Sequence, residues 1–204
     1  MNRIHRWMCR SARWQRMLER QVVPWVLGGV DLGPNALEVG PGPGLTTNLL
    51  RTRVDKLTAI EIDQALAESL GARLKGSNVT TVRGDATAMP FPDGSFSGAA
   101  SFTMLHHIPS PSLQDRLFRE VRRVLKPGAI FAGVDSLDSF RMRLFHIRDT
   151  LVPVDPTTLR RRLERAGFES VVVETNGRAF RFRARCSSAA QTNFDESTKE
   201  EILC

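Results

Sequence analysis

The chain has 204 residues, of which 41% are hydrophobic and 25% are charged. These values are typical of a soluble globular protein with one well-filled core, and no apolar run is long enough to span a bilayer. The net charge of +7 favours acidic partners such as nucleic acid or anionic lipid, although a GC-rich genome, which encodes arginine where lysine would serve, would produce the same balance.

Residues 1–27 predict an amphipathic helical extension. One face would carry apolar residues at helical spacing (Ile4, Trp7, Trp14 and Leu18, with Ser11), and another would carry Arg3, Arg6, Arg10, Arg13 and Arg20. We expect this helix to form a lid over a ligand site. A peripheral contact with a membrane surface is the alternative, because Trp and Arg on opposed faces suit an interface.

Strand-like and helix-like stretches alternate over the body of the chain, which we assign to one domain at 28–186. This alternation predicts an α/β fold with a mostly parallel sheet. The predicted strands are 36–40, 57–61, 79–83, 96–102, 129–134, 170–175 and 179–185, and the predicted helices are 44–53, 63–75, 113–125 and 156–166. Asn176-Gly177 favours a hairpin, so the last strand should be antiparallel. Residues 187–204 are polar and acidic, and predict a disordered tail.

The three cysteines, Cys9, Cys186 and Cys204, are scattered and show no C-x-x-C spacing. This usage favours a reducing compartment, hence the cytoplasm, and argues against structural zinc. We therefore predict no metal site. The arginine-containing N-terminus has no continuous apolar stretch behind it, so no signal peptide is expected.

A glycine-rich turn follows the first predicted strand, in the run Glu38-Val39-Gly40-Pro41-Gly42-Pro43-Gly44. Glycine has no Cβ and tolerates positive φ, so backbone can approach a small ligand closely here. The spacing G-x-G-x-G differs from the G-x-G-x-x-G of dinucleotide binders. The turn also begins a predicted helix, whose free N–H groups favour a carboxylate.

Acidic residues follow the next two strands. Glu61 ends the second strand, where a carboxylate beside the glycine turn can accept ribose hydroxyls, while Asp63 is suited to cap the following helix. Asp85 follows the third strand and can accept from an adenine amino group beside the apolar Ala86 and Met89. A turn-stabilising aspartate is the alternative for Asp85.

These motifs together resemble those of the class I S-adenosylmethionine-dependent methyltransferases, and within them the small methyltransferase-11 type, which includes ubiquinone and menaquinone methyltransferases. The resemblance covers about residues 34–185. Its marks are the 37–44 run, Glu61-Ile62-Asp63, Gly84-Asp85-Ala86, the 89–96 stretch, Leu105-His106-His107-Ile108, and the run from Glu120 to Gly128.

The resemblance implies a Rossmann-like three-layer sandwich whose seven strands lie in the order 3-2-1-4-5-7-6, with strand 7 antiparallel. It also implies S-adenosylmethionine as cofactor. Gly40, Pro41, Gly42 and Gly44 would surround its methionine part, Glu61 with neighbouring Ile62 its ribose, and Asp85 with Ala86 its adenine. Glu38 would organise the turn and the amino group. Phe102 would lie near the sulfonium, although a core position is the alternative.

His106 and His107 follow the fourth strand, near where the reacting groups should meet. His106 is the candidate for accepting a proton from a hydroxyl nucleophile, and a loop-ordering role is its alternative. A general base is not obligatory, because positioning and water exclusion can supply most of the acceleration of methyl transfer.

The expected reaction is O- or C-methylation of a small molecule. Nucleic acid is a less favoured acceptor, because the chain has no Asp/Asn-Pro-Pro-Tyr/Phe run, no Pro-Cys nucleophile and no tyrosine. The third hypothesis is a protein that binds S-adenosylmethionine without catalysing methyl transfer. The segment from Asp135 to Val154 could cover the acceptor, and its arginines, like Arg181, Arg183 and Arg185, are expected to be solvated or salt-bridged.

Overall fold

The computed structural model describes residues 11–188 of the chain. Its seven strands form one sheet in the order β3-β2-β1-β4-β5-β7-β6. Only β7 runs against its neighbours, pairing antiparallel with both β5 and β6. The strands are β1 (Asn35–Val39), β2 (Lys56–Glu61), β3 (Val79–Arg83), β4 (Phe96–Phe102), β5 (Leu125–Ser136), β6 (Phe168–Thr175) and β7 (Ala179–Cys186). The predicted strand order and the direction of the last strand are confirmed.

Helices cover both faces of this sheet. They are α1 (Ala12–Met17), α2 (Val23–Leu27), α3 (Leu45–Leu50), α4 (Gln64–Arg73), α5 (Pro111–Val124), α6 (Phe140–Phe145) and α7 (Pro156–Arg165). A π-helical turn (Leu18–Val22) joins α1 to α2, and a 3-10 turn (Leu105–His107) follows β4. No helix in the described part of the chain is both long and apolar enough to cross a membrane.

The sheet separates two hydrophobic clusters. Alternate residues of a strand point to opposite faces, so Leu37 and Phe131 pack in the cluster with α5 and α7. Their neighbours Ala36 and Ala132 pack in the other cluster with α2 and α3. This arrangement gives the three layers that the sequence predicts.

The hairpin between β6 and β7 is built as the Asn176-Gly177 dipeptide predicts. Gly177 has φ +82, which glycine adopts without steric cost. The side-chain oxygen of Asn176 accepts from the backbone N–H groups of Arg178 and Ala179, at 3.0 and 2.9 Å. These bonds turn the chain directly into β7, which inserts between β5 and β6.

The N-terminal helical segment is part of the hydrophobic core. Val23 and Val26 of α2 are fully buried beside Leu50 of α3. The segment widens to π geometry before Pro24, where proline cannot donate an intrahelical bond and its ring crowds the preceding turn. Residues 1–10, with Ile4, Trp7 and three of the arginines, lie outside the described residues, as do residues 189–204.

Two arginines of β7 bind the end of α2. Arg183 donates to the carbonyl oxygens of Val26 and Gly28, and Arg181 donates to that of Trp25 while pairing with Glu174. The carbonyls at a helix C-terminus have no intrahelical partner and carry partial negative charge. The sequence predicts a solvated or salt-bridged role for these side chains, and the structure adds this link to α2.

Candidate functional site

The glycine turn lies at the carboxyl end of β1, where ligands bind in open parallel sheets. Gly40, Gly42 and Gly44 all have positive φ, at +68, +53 and +82. A Cβ on Gly40 would meet Met104, and one on Gly44 would meet Leu70, both under 3.0 Å. A Cβ on Gly42 would point into open space. A Cβ at either outer glycine would therefore require the Met104 or Leu70 side chain to shift, whereas Gly42 leaves room for a ligand in front of the turn.

The turn is held from neighbouring elements. Gly40 N–H donates to the carbonyl of Ile60 on β2 at 3.0 Å, and Gly44 N–H closes the turn onto Pro41 at 2.9 Å. Arg73, in the last turn of α4, donates to the carbonyl of Pro43 at 2.8 Å. Arg73 belongs to no recognisable sequence motif, and its contact with the glycine turn follows only from the packing of α4 beside that turn.

The Glu61 carboxylate sits at the end of β2 and faces the glycine turn. Its Oε2 accepts from Gly42 N–H at 2.9 Å, and its Oε1 accepts from Asp63 N–H at 3.0 Å. Each carboxylate oxygen can accept a second hydrogen bond, so the group retains acceptor capacity for a ligand diol. Asp63 caps α4 through Leu66 N–H, as predicted. Ile62, between them, is 67% exposed at this edge.

Glu38 is buried and lies one residue before the end of β1. Its Oε1 accepts from the Thr46 hydroxyl at 2.5 Å, while its Oε2 is buried and has no hydrogen-bond partner. Burial raises the pKa of this carboxyl to about 7, outweighing the opposite effect of the Thr46 and Thr47 hydroxyls. Repulsion from Glu61 acts in the same direction. Oε2 therefore keeps acceptor capacity for a further donor, beside the hydroxyls of Thr46 and Thr47.

Asp85 and Ala86 lie beyond β3 at the same edge. Asp85 is exposed, and its Oδ1 accepts from Thr87 N–H at 2.7 Å, which is the turn-stabilising contact considered from the sequence. Ala86 and Met89 are buried beside it. The turn thus orients the Asp85 carboxylate without consuming its second oxygen.

An arginine fixes the stretch that follows Asp85. Arg123 of α5 donates to the carbonyls of Met89 and Phe91 and pairs with both Glu120 and Asp93. The hydrogen bond from Arg123 lowers the pKa of Glu120, whose carboxylate also accepts from Met89 N–H. This network connects the loop after Asp85, which the sequence predicts to bind adenine, to α5.

Phe102 ends β4 and is 6% exposed, packed in the cluster that contains Val134. The structure therefore gives it the core position that the sequence left as an alternative. Its contact with a cofactor stays a prediction. Thr103, the next residue, has φ +50 and donates its N–H to Val134. Left-handed backbone at a non-glycine residue is strained and is often found at functional sites.

His106 is buried and bound to a buried aspartate. Its Nδ1 lies 2.5 Å from Asp135 Oδ1, and its backbone N–H donates to Asp135 Oδ2 at 3.1 Å. Asp135 lies on β5, next to β4 in the sheet. This carboxylate orients the imidazole and leaves Nε2, which is buried without a partner, as the nitrogen that can take up a proton or a ligand.

Two more histidines lie against His106. The ring centroids of His107 and His146 are 4.2 and 4.9 Å from that of His106, and 5.1 Å from each other. His146 follows α6 and is brought here because Val152 N–H donates to the His106 carbonyl at 2.8 Å. The sequence contains no spacing that links position 146 to 106 and 107, so sequence reasoning missed His146.

The segment after β5 carries an apolar surface. Phe140, Leu144 and Ile147 are 83%, 54% and 56% exposed, and their spacing places them along one side of α6 and the turn after it. Arg143 pairs with Asp138 at the surface. This segment starts at the carboxyl end of β5, on the ligand side of the sheet.

Comparisons with known proteins agree with this geometry. Residues 37–133 match the family model described as a methyltransferase domain. A solved S-adenosylmethionine-dependent methyltransferase from Aquifex aeolicus superimposes with a TM-score of 0.70 over 91% of this chain and 98% of that one, at 22% identity. That likeness shows the fold.

Curated relatives fall into two groups. Sterol methyltransferase-like 3 of Botryococcus braunii is 33% identical over 139 residues, which cover 63% of this chain and 34% of that protein. A probable ribosomal RNA small subunit methyltransferase A of Thermococcus onnurineus is 40% identical over 77 residues, 38% of this chain and 27% of that protein. The chain thus spans only 27% and 34% of the length of these two relatives.

Proposed function

We propose that this chain, whose residues 37–133 form a methyltransferase domain with the class I fold, transfers a methyl group from S-adenosylmethionine to a small-molecule acceptor. The resemblance seen in the sequence motifs is confirmed at the level of family and fold. The observation that carries the proposed activity is the meeting of Glu38, Glu61 and the glycine turn at one end of the sheet.

The chemical groups of S-adenosylmethionine complement these residues. Its α-ammonium group is a cation with three N–H donors, which matches the unpartnered Oε2 of Glu38. Its ribose diol matches the remaining acceptor capacity of Glu61, and its adenine amino group matches Asp85. Gly40, Pro41, Gly42, Gly44, Ile62, Ala86 and Phe102 complete the proposed binding residues.

Bound S-adenosylmethionine supplies a methyl carbon that is activated toward in-line displacement by the adjacent sulfonium. The contribution of the chain is to position the reactants and exclude water. For a hydroxyl acceptor, His106 Nε2 would receive the acceptor's proton while the oxygen–methyl bond forms and the methyl–sulfur bond breaks, leaving a neutral thioether. Asp135 would stabilise the resulting imidazolium through Nδ1.

The acceptor proposed for this site is an apolar molecule with a hydroxyl or an activated carbon. The exposed surface of Phe140, Leu144 and Ile147 supports this choice, and so does the sterol methyltransferase relative.

We further propose that the N-terminal segment forms a lid, since the π-helical turn packs against α3, which begins at the glycine turn. Contact with a membrane, the cytoplasmic location and the division of the chain at residues 27 and 187 stay predictions.

A ribosomal RNA acceptor is the second candidate. It is favoured by the archaeal relative and by the net charge of +7. Phosphate contacts would make RNA binding fall steeply with salt. Methylation assays with labelled S-adenosylmethionine, using structured RNA in one arm and sterols or hydroquinones in the other, separate the two acceptors.

Donor binding is tested with a matched pair of glycine variants. Gly42→Ala and Gly76→Ala both introduce a Cβ at positive φ (+53 and +80) with no atom within 4 Å of it. Both should lose about 1–2 kcal/mol of stability from left-handed backbone. Only Gly42→Ala should weaken S-adenosylmethionine binding in calorimetry, by tenfold or more, because its methyl group occupies the space before the turn.

The Glu61 carboxylate is tested in the same assay. We expect micromolar binding to the wild type and a loss of roughly 1.5–3 kcal/mol in Glu61→Ala, if charge-assisted hydrogen bonds to ribose are removed. Glu61→Gln keeps one acceptor oxygen and should retain part of that affinity. Absence of measurable binding to the wild-type chain refutes the assignment of the donor.

A further inference from the structure

We propose that His106, His107 and His146 form a binding site for a transition-metal ion, with Zn²⁺ as the best match. The site lies beyond β4 and β5, at the carboxyl edge of the sheet. Ion binding is independent of the proposed methyl transfer. Only the role of the ion toward an acceptor rests on it.

The three side chains are close enough to share one ion. One nitrogen from each imidazole lies within 4.8 Å of the others. Zinc bonds imidazole nitrogen at about 2.0–2.1 Å, so tetrahedral ligands lie about 3.3 Å apart. The nitrogens therefore need to approach one another by about 1.5 Å at most to reach tetrahedral spacing.

The hydrogen bonds around the cluster select the coordinating nitrogens. His106 Nδ1 is bound to Asp135 Oδ1 at 2.5 Å, and His146 Nδ1 donates to the Met142 carbonyl at 2.7 Å. A carboxylate or carbonyl on one ring nitrogen fixes the tautomer and makes the other nitrogen a better ligand, which is the usual arrangement around bound metals. In the neutral rings, Nε2 of both histidines consequently carries the lone pair.

The burial of His106 also indicates a ligand site. This side chain is 3% exposed, yet its Nε2 has no hydrogen-bond partner. Buried polar atoms are nearly always satisfied by protein, water or a ligand. The His107 ring lies against that of His106, tilted by 42° with 4.2 Å between centroids. An ion bound between them would satisfy the nitrogen of His106.

The donor set favours a particular class of ion. Three imidazoles suit zinc and neighbouring late transition metals better than Mg²⁺ or Ca²⁺, which prefer oxygen ligands. Three protein ligands leave a fourth position of the zinc tetrahedron open, as in catalytic sites. An acceptor hydroxyl bound there would have its pKa lowered by the ion, which would replace His106 as the means of activating it.

The test uses the untagged full chain, stripped with a chelator and titrated with Zn²⁺ against a chromogenic competitor. We expect one ion per chain with micromolar or tighter affinity. His107→Ala and His146→Ala should each weaken binding by tenfold or more. Asp135→Asn should weaken it by about 10–100-fold through the orientation of His106. Co²⁺ loading should give the visible absorption of a tetrahedral site, and His107→Ala should change that spectrum.

His5→Ala is the matched control, because it removes the remaining histidine of the sequence. It should leave the zinc affinity unchanged. Circular dichroism of each ion-free variant verifies folding before titration. The proposal is overturned if the folded wild type binds no stoichiometric ion, or if His5→Ala weakens binding as much as the cluster variants do. Calorimetry with S-adenosylmethionine on ion-free protein reports separately on the proposed function.

Discussion

Replacement of Glu38 by glutamine should change how stability depends on pH. The substitution keeps the shape of the side chain and an oxygen that can accept from the Thr46 hydroxyl. It removes the ionisation of a carboxyl that is fully buried and whose Oε2 has no partner. The expected result is a variant that gains stability relative to the wild type as the pH rises.

The size and sign follow from the pKa of Glu38. The carboxyl has a pKa of 4.5 in the unfolded chain and about 7 in the folded protein, mainly because of burial. Below pH 4.5 both states are protonated, and the group costs nothing. Between these values the folded state holds a proton that the unfolded state has lost, so the free energy of unfolding falls as the pH rises. At about 1.4 kcal/mol per pH unit, the loss approaches about 3 kcal/mol above pH 7.

Urea unfolding of both proteins at pH 5 and pH 8 measures this effect. Other titrating groups contribute to both proteins and cancel in the difference. We expect the free energy of unfolding of Glu38→Gln, minus that of the wild type, to rise by about 2–3 kcal/mol between these pH values. A difference that stays constant with pH would contradict the assignment of an ionisable, desolvated carboxyl to this position.

The same variant connects stability to the proposed function. An ammonium group bound at Oε2 would favour the ionised carboxylate, so S-adenosylmethionine should bind the wild type with release of a proton near pH 6. The Glu38→Gln variant should bind more weakly and without that proton. Calorimetry in buffers of different ionisation enthalpy measures the proton release directly.

Two further substitutions test the packing around the site. Arg123→Gln should lower the free energy of unfolding by about 2 kcal/mol in urea titrations, because four hydrogen-bonded or paired groups lose a partly buried guanidinium. Arg143→Gln is the control, because the ion pair of Arg143 is exposed; an equal loss of stability there would contradict this expectation. Val26→Ala should lower the free energy of unfolding by about 2 kcal/mol in thermal or urea unfolding, because Val26 is fully buried. A loss no larger than that of Arg20→Ala, at an exposed position, would show that α2 is not part of the core.

The fold is largely predictable from the sequence because its signals are local. The alternation of strands and helices, the Asn176-Gly177 hairpin and the cap at Asp63 each depend on residues that are neighbours in the chain. The family motifs then supply the strand order, which local patterns alone do not contain. The N-terminal segment was only partly predicted: its helical spacing is correct over the described residues, but the burial of Val23 and Val26 depends on contacts with the sheet.

The sequence by itself determined the seven strands, most of the helices, the left-handed glycine turn at residues 40–44 and the acidic residues near the ends of β1 and β2. Backbone preference and hydrophobic period are properties of short segments. Only the tertiary structure decided the chemistry of that edge. The raised pKa of Glu38 arises from complete burial, and the pairing of His106 with Asp135 joins the 3-10 turn after β4 to β5, across 29 residues of sequence. His146 reaches the cluster through a fold of the chain after α6. Desolvation and proximity depend on how distant segments pack, and no local pattern records them.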